Sequence, residues 1–270
     1  MISSTGNAKI RELVRLRKSA KERMKRDLFL VEGPKMFREI PRGLCTEVYV
    51  SESFLQTGEG KAAGEVLDGT SCQIEVVSDP VFRYLSDTQS PQGILALVRQ
   101  LRYELKDVLT ARCSGAPLVV ILENLQDPGN LGTILRTAEA AGASGILLSQ
   151  GCADLYNPKV TRSTMGSIFR VPFVYTEDLK GAIVQMKECG VRILAAHLKG
   201  SVDLYEESLT GPTAILIGNE SRGLTDETAA LANQAIRIPM SGCVESLNAA
   251  VATAVCLFEA KRQRRIRTEK

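Results

Sequence analysis

The stretch Pro117-Leu118-Val119-Val120-Ile121-Leu122, followed at once by Glu123-Asn124-Leu125-Gln126-Asp127-Pro128-Gly129-Asn130-Leu131-Gly132-Thr133, decides the fold. A continuous apolar run of this length, rich in β-branched residues, predicts a strand buried on both faces of a parallel sheet; a strand with one wet face would alternate. Asp127-Pro128-Gly129 is a turn signal, and the helix expected from about Leu131 gathers Leu131, Ile134, Leu135 and Ala138 on one stripe. At 100° per residue, Arg136 lies about 150° from the middle of that stripe and is free to point at a ligand.

Strand and helix signals then recur toward the C-terminus. Strands are expected over Gly145–Ser149, Val191–Ala196, Ala214–Gly218 and Ala235–Pro239, and helices near Asp178–Cys189 and from Ser246 to about Arg265. Such alternation implies a parallel α/β sheet, and sheets of that kind bind ligands beyond the carboxyl ends of their strands. Upstream, Ala8–Met24 reads as one basic amphipathic helix with Ile10, Leu13, Val14, Leu16 and Met24 between its lysines and arginines. Phe29-Leu30-Val31 leads into the turn Glu32-Gly33-Pro34, a helical start covers Lys35–Ile40, and Glu47–Ser51, Ile74–Ser78 and Gly93–Arg99 read as short strands. The division expected is a small α/β domain over 1–105, a linker over 106–116 and a larger parallel α/β domain over 117–270.

The 270 residues are 44% hydrophobic and 24% charged, and no apolar run approaches the roughly 18 to 20 residues of a membrane span. With no signal-peptide pattern either, a cytoplasmic protein is expected. The cysteines at 45, 72, 113, 152, 189, 243 and 256 are scattered, and His197 is the single histidine, so neither a disulfide framework nor a metal site is expected. The net charge of +3 is uneven: residues 1–40 hold 11 Lys/Arg against 5 Asp/Glu, and residues 261–270 hold 6 against 1. Basic ends on an acidic body suit contact with a polyanion, although the run Lys9–Arg26 reads equally well as a solvated helix face.

Three loops follow three of the expected strands. In the first, Asn130 stands at a helix entrance where backbone N–H groups and an amide can meet an anion; a plain helix cap is the alternative. Gly129 and Gly132 do not form G-x-G-x-x-G, and no Walker lysine follows. The second, Ile217-Gly218-Asn219-Glu220-Ser221-Arg222-Gly223-Leu224, lets the backbone approach a flat ligand, with Glu220 placed to hold a ribose hydroxyl or orient an arginine; a glycine-containing turn with a helix-start glutamate is the alternative. The third, Ile238-Pro239-Met240-Ser241-Gly242-Cys243-Val244-Glu245-Ser246-Leu247-Asn248, ends with Ser246 or Asn248 capping the last helix.

Together these loops resemble the three signature motifs of the SpoU (TrmH) family of RNA 2′-O-ribose methyltransferases, within the SPOUT superfamily. The matching text is Asn124–Asn130 through Arg136-Thr137-Ala138, then Gly218-Asn219-Glu220 with Gly223-Leu224, then Ile238-Pro239-Met240 with Glu245–Ala250. Asn157–Ser163 with Met165-Gly166-Ser167 is similar to the family's stretch between the first and second motifs. Less specifically, Ile10–Arg26, Phe29–Gly33, Ser86-Asp87-Thr88 and Pro91–Ala96 resemble the L30e-like substrate-binding domain found ahead of the catalytic domain in many bacterial members.

The resemblance implies an α/β chain whose C-terminal parallel-sheet SPOUT domain carries a deep trefoil knot over about Ala214–Phe258. It also implies S-adenosylmethionine as methyl donor and a homodimer. Carried over residue by residue, Ile217, Gly218, Ile238, Met240, Ser246 and Leu247 contact the donor, while Asn130, Arg136, Glu220, Ser246 and Asn248 form the catalytic polar site. RNA contacts are expected from Lys9, Arg11, Arg15, Arg17, Lys18, Lys21 and Arg23, with ribosomal RNA (23S) favoured over tRNA. Two other classes stay in view. A non-catalytic RNA-binding protein would not need the intact third motif, and a nicotinamide-dependent oxidoreductase would need the phosphate fingerprint that is missing.

Overall fold

The parallel strand expected at Leu118 exists, and it belongs to the second of two units. The computed structural model describes residues 1–68, 72–110, 115–198 and 200–268. The first unit is Met1–Leu101 with Asp154–Phe169; the second is Arg102–Ala153 with Arg170–Lys270.

In chain order the first unit holds α1 (Ala8–Lys18), α2 (Ala20–Arg26), β1 (Leu28–Glu32), α3 (Pro34–Arg38), β2 (Cys45–Ser51), α4 (Glu52–Leu55), α5 (Gly58–Asp68), β3 (Gln73–Val77), α6 (Asp79–Leu85) and β4 (Ile94–Arg99). The helix expected over Ala8–Met24 is therefore two helices. Ser19 is extended, its hydroxyl accepts from Glu22 N–H at 3.3 Å, and this new N-cap breaks the phase of the apolar stripe. Ile10, Leu13, Val14 and Leu16 are buried, while Met24, beyond the break, faces outward. The sheet runs β1-β4-β2-β3, with β4 antiparallel to both β1 and β2 and with β2 parallel to β3. α1 and α6 cover one face, where Tyr49, Phe82 and Leu85 fill the core.

A later segment completes this unit. Asp154–Phe169, which contains α9 (Pro158–Ser163), packs here although the sequence division had put it with the catalytic domain. Arg23 is 3% exposed and its Nε and Nη2 donate to Asp154 Oδ2 at 2.9 and 2.6 Å. The Phe29 ring centroid lies 4.6 Å from that of Tyr156 and 6.2 Å from that of Phe169. The Tyr156 hydroxyl donates to Leu101 O at 2.9 Å and accepts from Leu101 N–H at 2.8 Å.

The second unit continues with α7 (Leu105–Leu109), β5 (Leu118–Leu122), α8 (Pro128–Ala141), β6 (Gly145–Ser149), β7 (Phe173–Thr176), α10 (Leu179–Glu188), β8 (Arg192–Ala196), β9 (Val202–Asp203), β10 (Thr213–Ile217), α11 (Asp226–Ala229), β11 (Gln234–Arg237) and α12 (Ala249–Thr268). Among the described residues its sheet has seven strands in the order β7-β6-β5-β10-β8-β11-β9, and every pairing is parallel. β5, β6 and β10 are buried along their whole length, as continuous apolar runs require. Each fully buried Leu, Ile or Val in them contributes about 1.5–3 kcal/mol.

Three expectations shift at this level. The region read as a linker contains α7, whose Val108 is buried in the core of the second unit; residues 111–114 of that linker, Cys113 included, lie outside the described residues. The last helix starts at Ala249 rather than Ser246, because Asn248 Oδ1 accepts from Ala250 N–H at 2.9 Å and Val251 N–H at 3.3 Å. The basic C-terminal run is partly structural. Arg264 donates to the carbonyls of Leu209, Ala116, Pro117 and Gly211, and Arg262 pairs with Glu259 at 2.8 Å.

Candidate active site

The carboxyl ends of β5, β8, β10 and β11 lie in one sheet, and the segments leaving β8, β10 and β11 converge with the start of α12 on a cleft of about 500 Å³, with the loop after β5 beside it rather than in its lining. Its lining includes Ile217, Gly218, Ile238, Met240, Ser246 and Leu247, which are the six residues expected to contact a donor, together with Glu220 and Asn248. Ala249, Ala252 and Cys256 contribute one face of α12.

The second loop is closed on itself. Asn219 and Gly223 exchange backbone hydrogen bonds at 3.0 and 2.9 Å, and Asn219 Oδ1 accepts from Ser221 N–H at 3.0 Å and Arg222 N–H at 3.1 Å. The turn needs glycine twice. Gly223 has φ +69°, and a Cβ on Gly218 would stand 2.2 Å from Gly223 C and 2.3 Å from Leu224 N, both backbone atoms that cannot move aside cheaply.

Hydrogen bonds tie together the loops after β5, β10 and β11, through Glu220 and Asn130. One carboxylate oxygen accepts from Asp127 N–H at 2.9 Å and from Asn130 Nδ2 at 3.2 Å; the other accepts from Gln126 N–H at 3.2 Å and Asn219 Nδ2 at 3.4 Å. Asn130 Oδ1 then accepts from Asn248 Nδ2 at 2.9 Å, so a line of polar groups runs from the second loop through the first to the third. The α8 entrance does attract an anion, and that anion is Glu220 itself, while Asp127 caps the helix by accepting from Asn130 N–H at 2.7 Å. Partial burial pushes the Glu220 carboxyl up, but the N–H groups of Asp127, Glu220 itself and Gln126 and the Asn130 amide outweigh it and hold it below the usual range. It is an ionised clamp on the loops. Behind it, buried Glu123 accepts from Thr225 N–H, Thr225 Oγ1 and Thr228 Oγ1 at 2.6–2.8 Å, which fixes the chain after the second loop.

Arg136 is exposed on α8, on the side away from the buried stripe, and is not part of the cleft lining. Sequence reasoning missed the segment after β8, where His197 and Leu198 join the cleft wall. His197 entered the sequence reading only as the single histidine, and the available signal was position, since β8 is a further strand whose carboxyl end faces the same edge.

The residues expected to touch RNA divide by role within the first unit. Arg11, Arg15, Lys18 and Lys21 are exposed. Lys9 is paired with Glu75 at 2.7 Å and Glu47 at 3.9 Å, and Arg17 Nη1 donates to the carbonyls of Tyr84, Leu85 and Ser86 at 2.7–2.9 Å. Arg23 is a correction: it is buried, paired with Asp154 and bonded to the carbonyls of Leu16 and Arg17, because a charge in that position must be satisfied internally.

Comparison with known proteins agrees with this arrangement. Residues 117–258 match the model of the SpoU rRNA Methylase family, and residues 7–96 match that of the MRM3-like substrate binding domain. The chain is 31% identical over 259 residues to 23S rRNA (guanosine(2553)-2'-O)-methyltransferase RlmP of Bacillus subtilis, covering 95% of this chain and 97% of that one. The SpoU methyltransferase AviRb from Streptomyces viridochromogenes, solved with AdoMet, is 27% identical and superposes with a TM-score of 0.86 over 96% of this chain and 98% of its own. An AdoMet-bound rRNA methyltransferase from Sinorhizobium meliloti is 30% identical, with a TM-score of 0.83 over 97% of each chain.

Proposed function

The chain belongs to the SpoU rRNA methylase family, and from that premise we propose that it methylates a ribose 2′-oxygen of large-subunit ribosomal RNA with S-adenosylmethionine. The single observation that carries the reading is the cleft: an apolar patch of Ile217, Ile238, Met240 and Leu247, a backbone at Gly218 with no room for a side chain, and a polar line Glu220–Asn130–Asn248 along its edge. An adenine ring and a sulfonium suit apolar walls and close backbone approach, so the residues present fit the donor.

S-adenosylmethionine supplies the methyl group there. Ile217, Gly218, Ile238, Met240, Ser246 and Leu247, which line the cleft, would hold it. Glu220, with its oxygens occupied by four donors, fixes the loops rather than taking the ribose proton. Arg136, a planar and permanently charged guanidinium, acts as a fork on the target phosphate and on developing oxyanion charge. Asn130 and Asn248 set the spacing between the first and third loops, and Ser246 would offer its hydroxyl to the donor from the cleft lining. In-line placement of the 2′-oxygen is the main source of rate in such a site.

The remaining features follow the family. The trefoil knot is carried over from the family to Ala214–Phe258. The first unit is an L30e-like module that presents Arg11, Arg15, Lys18 and Lys21 to RNA, and the protein works as a cytoplasmic homodimer. No helix among the described residues is long and apolar enough to cross a membrane. The test is incubation with labelled S-adenosylmethionine and unmodified 23S rRNA or tRNA, followed by mapping of 2′-O-methyl sites. Methylation of one 23S ribose is the expected result. Labelling of tRNA alone would reassign the substrate, and RNA binding without labelling would overturn the enzymatic reading.

A further inference from the structure

Arg222 is the one Lys or Arg side chain in the cleft lining among the described residues. Its backbone is rigid: its N–H is bonded to Asn219 Oδ1, and the loop is closed on either side by the Asn219–Gly223 pair. The side chain is exposed, and its guanidinium has no partner among the described residues. Glu220, two positions away, does not pair with it, because both carboxylate oxygens already serve Gln126, Asp127, Asn130 and Asn219.

An uncommitted guanidinium in this place works against the donor, which brings two positive groups, a sulfonium and an ammonium, against one carboxylate. Its presence at the rim is better matched to a second ligand that is a polyanion. We propose that Arg222 binds a phosphate of the RNA substrate beside the target ribose and so positions the 2′-oxygen at the donor cleft. This assignment rests on the RNA methyltransferase reading given above and adds to it a contact made from the second loop. Arginine suits the task because its planar fork spans two phosphate oxygens, and because the rigid loop spends little further order in presenting it.

The test uses the full chain and the variants Arg222→Ala, Arg222→Gln and Arg222→Lys with unmodified 23S rRNA transcript. The loop's hydrogen bonds to residue 222 are backbone bonds, so all three should fold, and calorimetric affinity for S-adenosylhomocysteine should stay within about twofold of the parent. KM for RNA should rise about tenfold in the Ala and Gln variants, with partial recovery in Lys. The slope of log KM against log salt should fall by about one, as loss of one phosphate contact requires. A tenfold loss of S-adenosylhomocysteine affinity with RNA KM and slope unchanged would overturn the proposal and give Arg222 to the donor carboxylate. No change in any of these would make Arg222 a solvated side chain and also overturn it. If the parent binds the transcript but does not methylate it, the enzymatic reading fails separately, and salt titration of transcript binding still decides whether Arg222 holds a phosphate.

Discussion

Replacing Glu220 with Gln removes one negative oxygen from the point where the loops meet. One edge of the carboxylate accepts from Asp127 N–H and Asn130 Nδ2, the other from Gln126 N–H and Asn219 Nδ2. A glutamine can satisfy one edge; its amide nitrogen then faces two donors on the other. Charge-assisted hydrogen bonds contribute about 1.5–3 kcal/mol each, but Glu220 is exposed and water replaces part of what is lost, so about 1–2 kcal/mol of loop order disappears. That corresponds to roughly fivefold to thirtyfold in affinity for a ligand that needs the ordered loops. Calorimetry with S-adenosylhomocysteine reads the loss directly, while urea unfolding should show little change in the midpoint because the core strands are untouched. The parent should also be sensitive to acid. The folded carboxyl titrates below the ordinary value of 4.5, so its contribution is complete above that value and is lost as the pH falls through the lower folded one. Wild-type donor affinity in Glu220→Gln at pH 7 would refute the idea that this carboxylate organises the site.

Other perturbations test other links. Gly218→Ala places a Cβ 2.2–2.4 Å from backbone atoms of Gly223 and Leu224; the strain of about 1–3 kcal/mol should weaken donor binding tenfold or more, measured by calorimetry. Arg136→Ala should abolish methyl transfer while S-adenosylhomocysteine still binds, and loss of donor binding would put Arg136 in the wrong role. Asp154→Ala leaves the buried Arg23 charge without its carboxylate and should cost about 3 kcal/mol in urea unfolding, with partial recovery when Arg23→Met is added.

The second unit was the more legible in sequence because its strands are buried on both faces. A run such as Leu118–Leu122 has one reading, and the loops after β5, β10 and β11 carry enough polar residues to mark where the ligand goes. Short edge strands gave no such signal: β7 and β9 hold few residues, and each pairs on one side only. Charge was the least reliable guide. Arg11 and Arg23 are alike in sequence, yet one faces water and the other is buried against Asp154, a partner 131 positions away that no local pattern reveals. The same holds for Arg264, whose four carbonyl partners are gathered by the fold. Asn130 and Glu220 were found, but their bond to each other was not, since side-chain pairing across loops follows from topology rather than spacing.

The segment Asp154–Phe169 has a consequence for how such proteins can be recombined. A cut at Leu101 looks natural along the chain, yet the piece it releases keeps Arg23 and Phe29 while losing Asp154, Tyr156 and Phe169. A foreign N-terminal module grafted at that point would meet a segment shaped for the original one. Exchange of the first unit of this chain would therefore have to carry two stretches of gene at once, Met1–Leu101 and Asp154–Phe169.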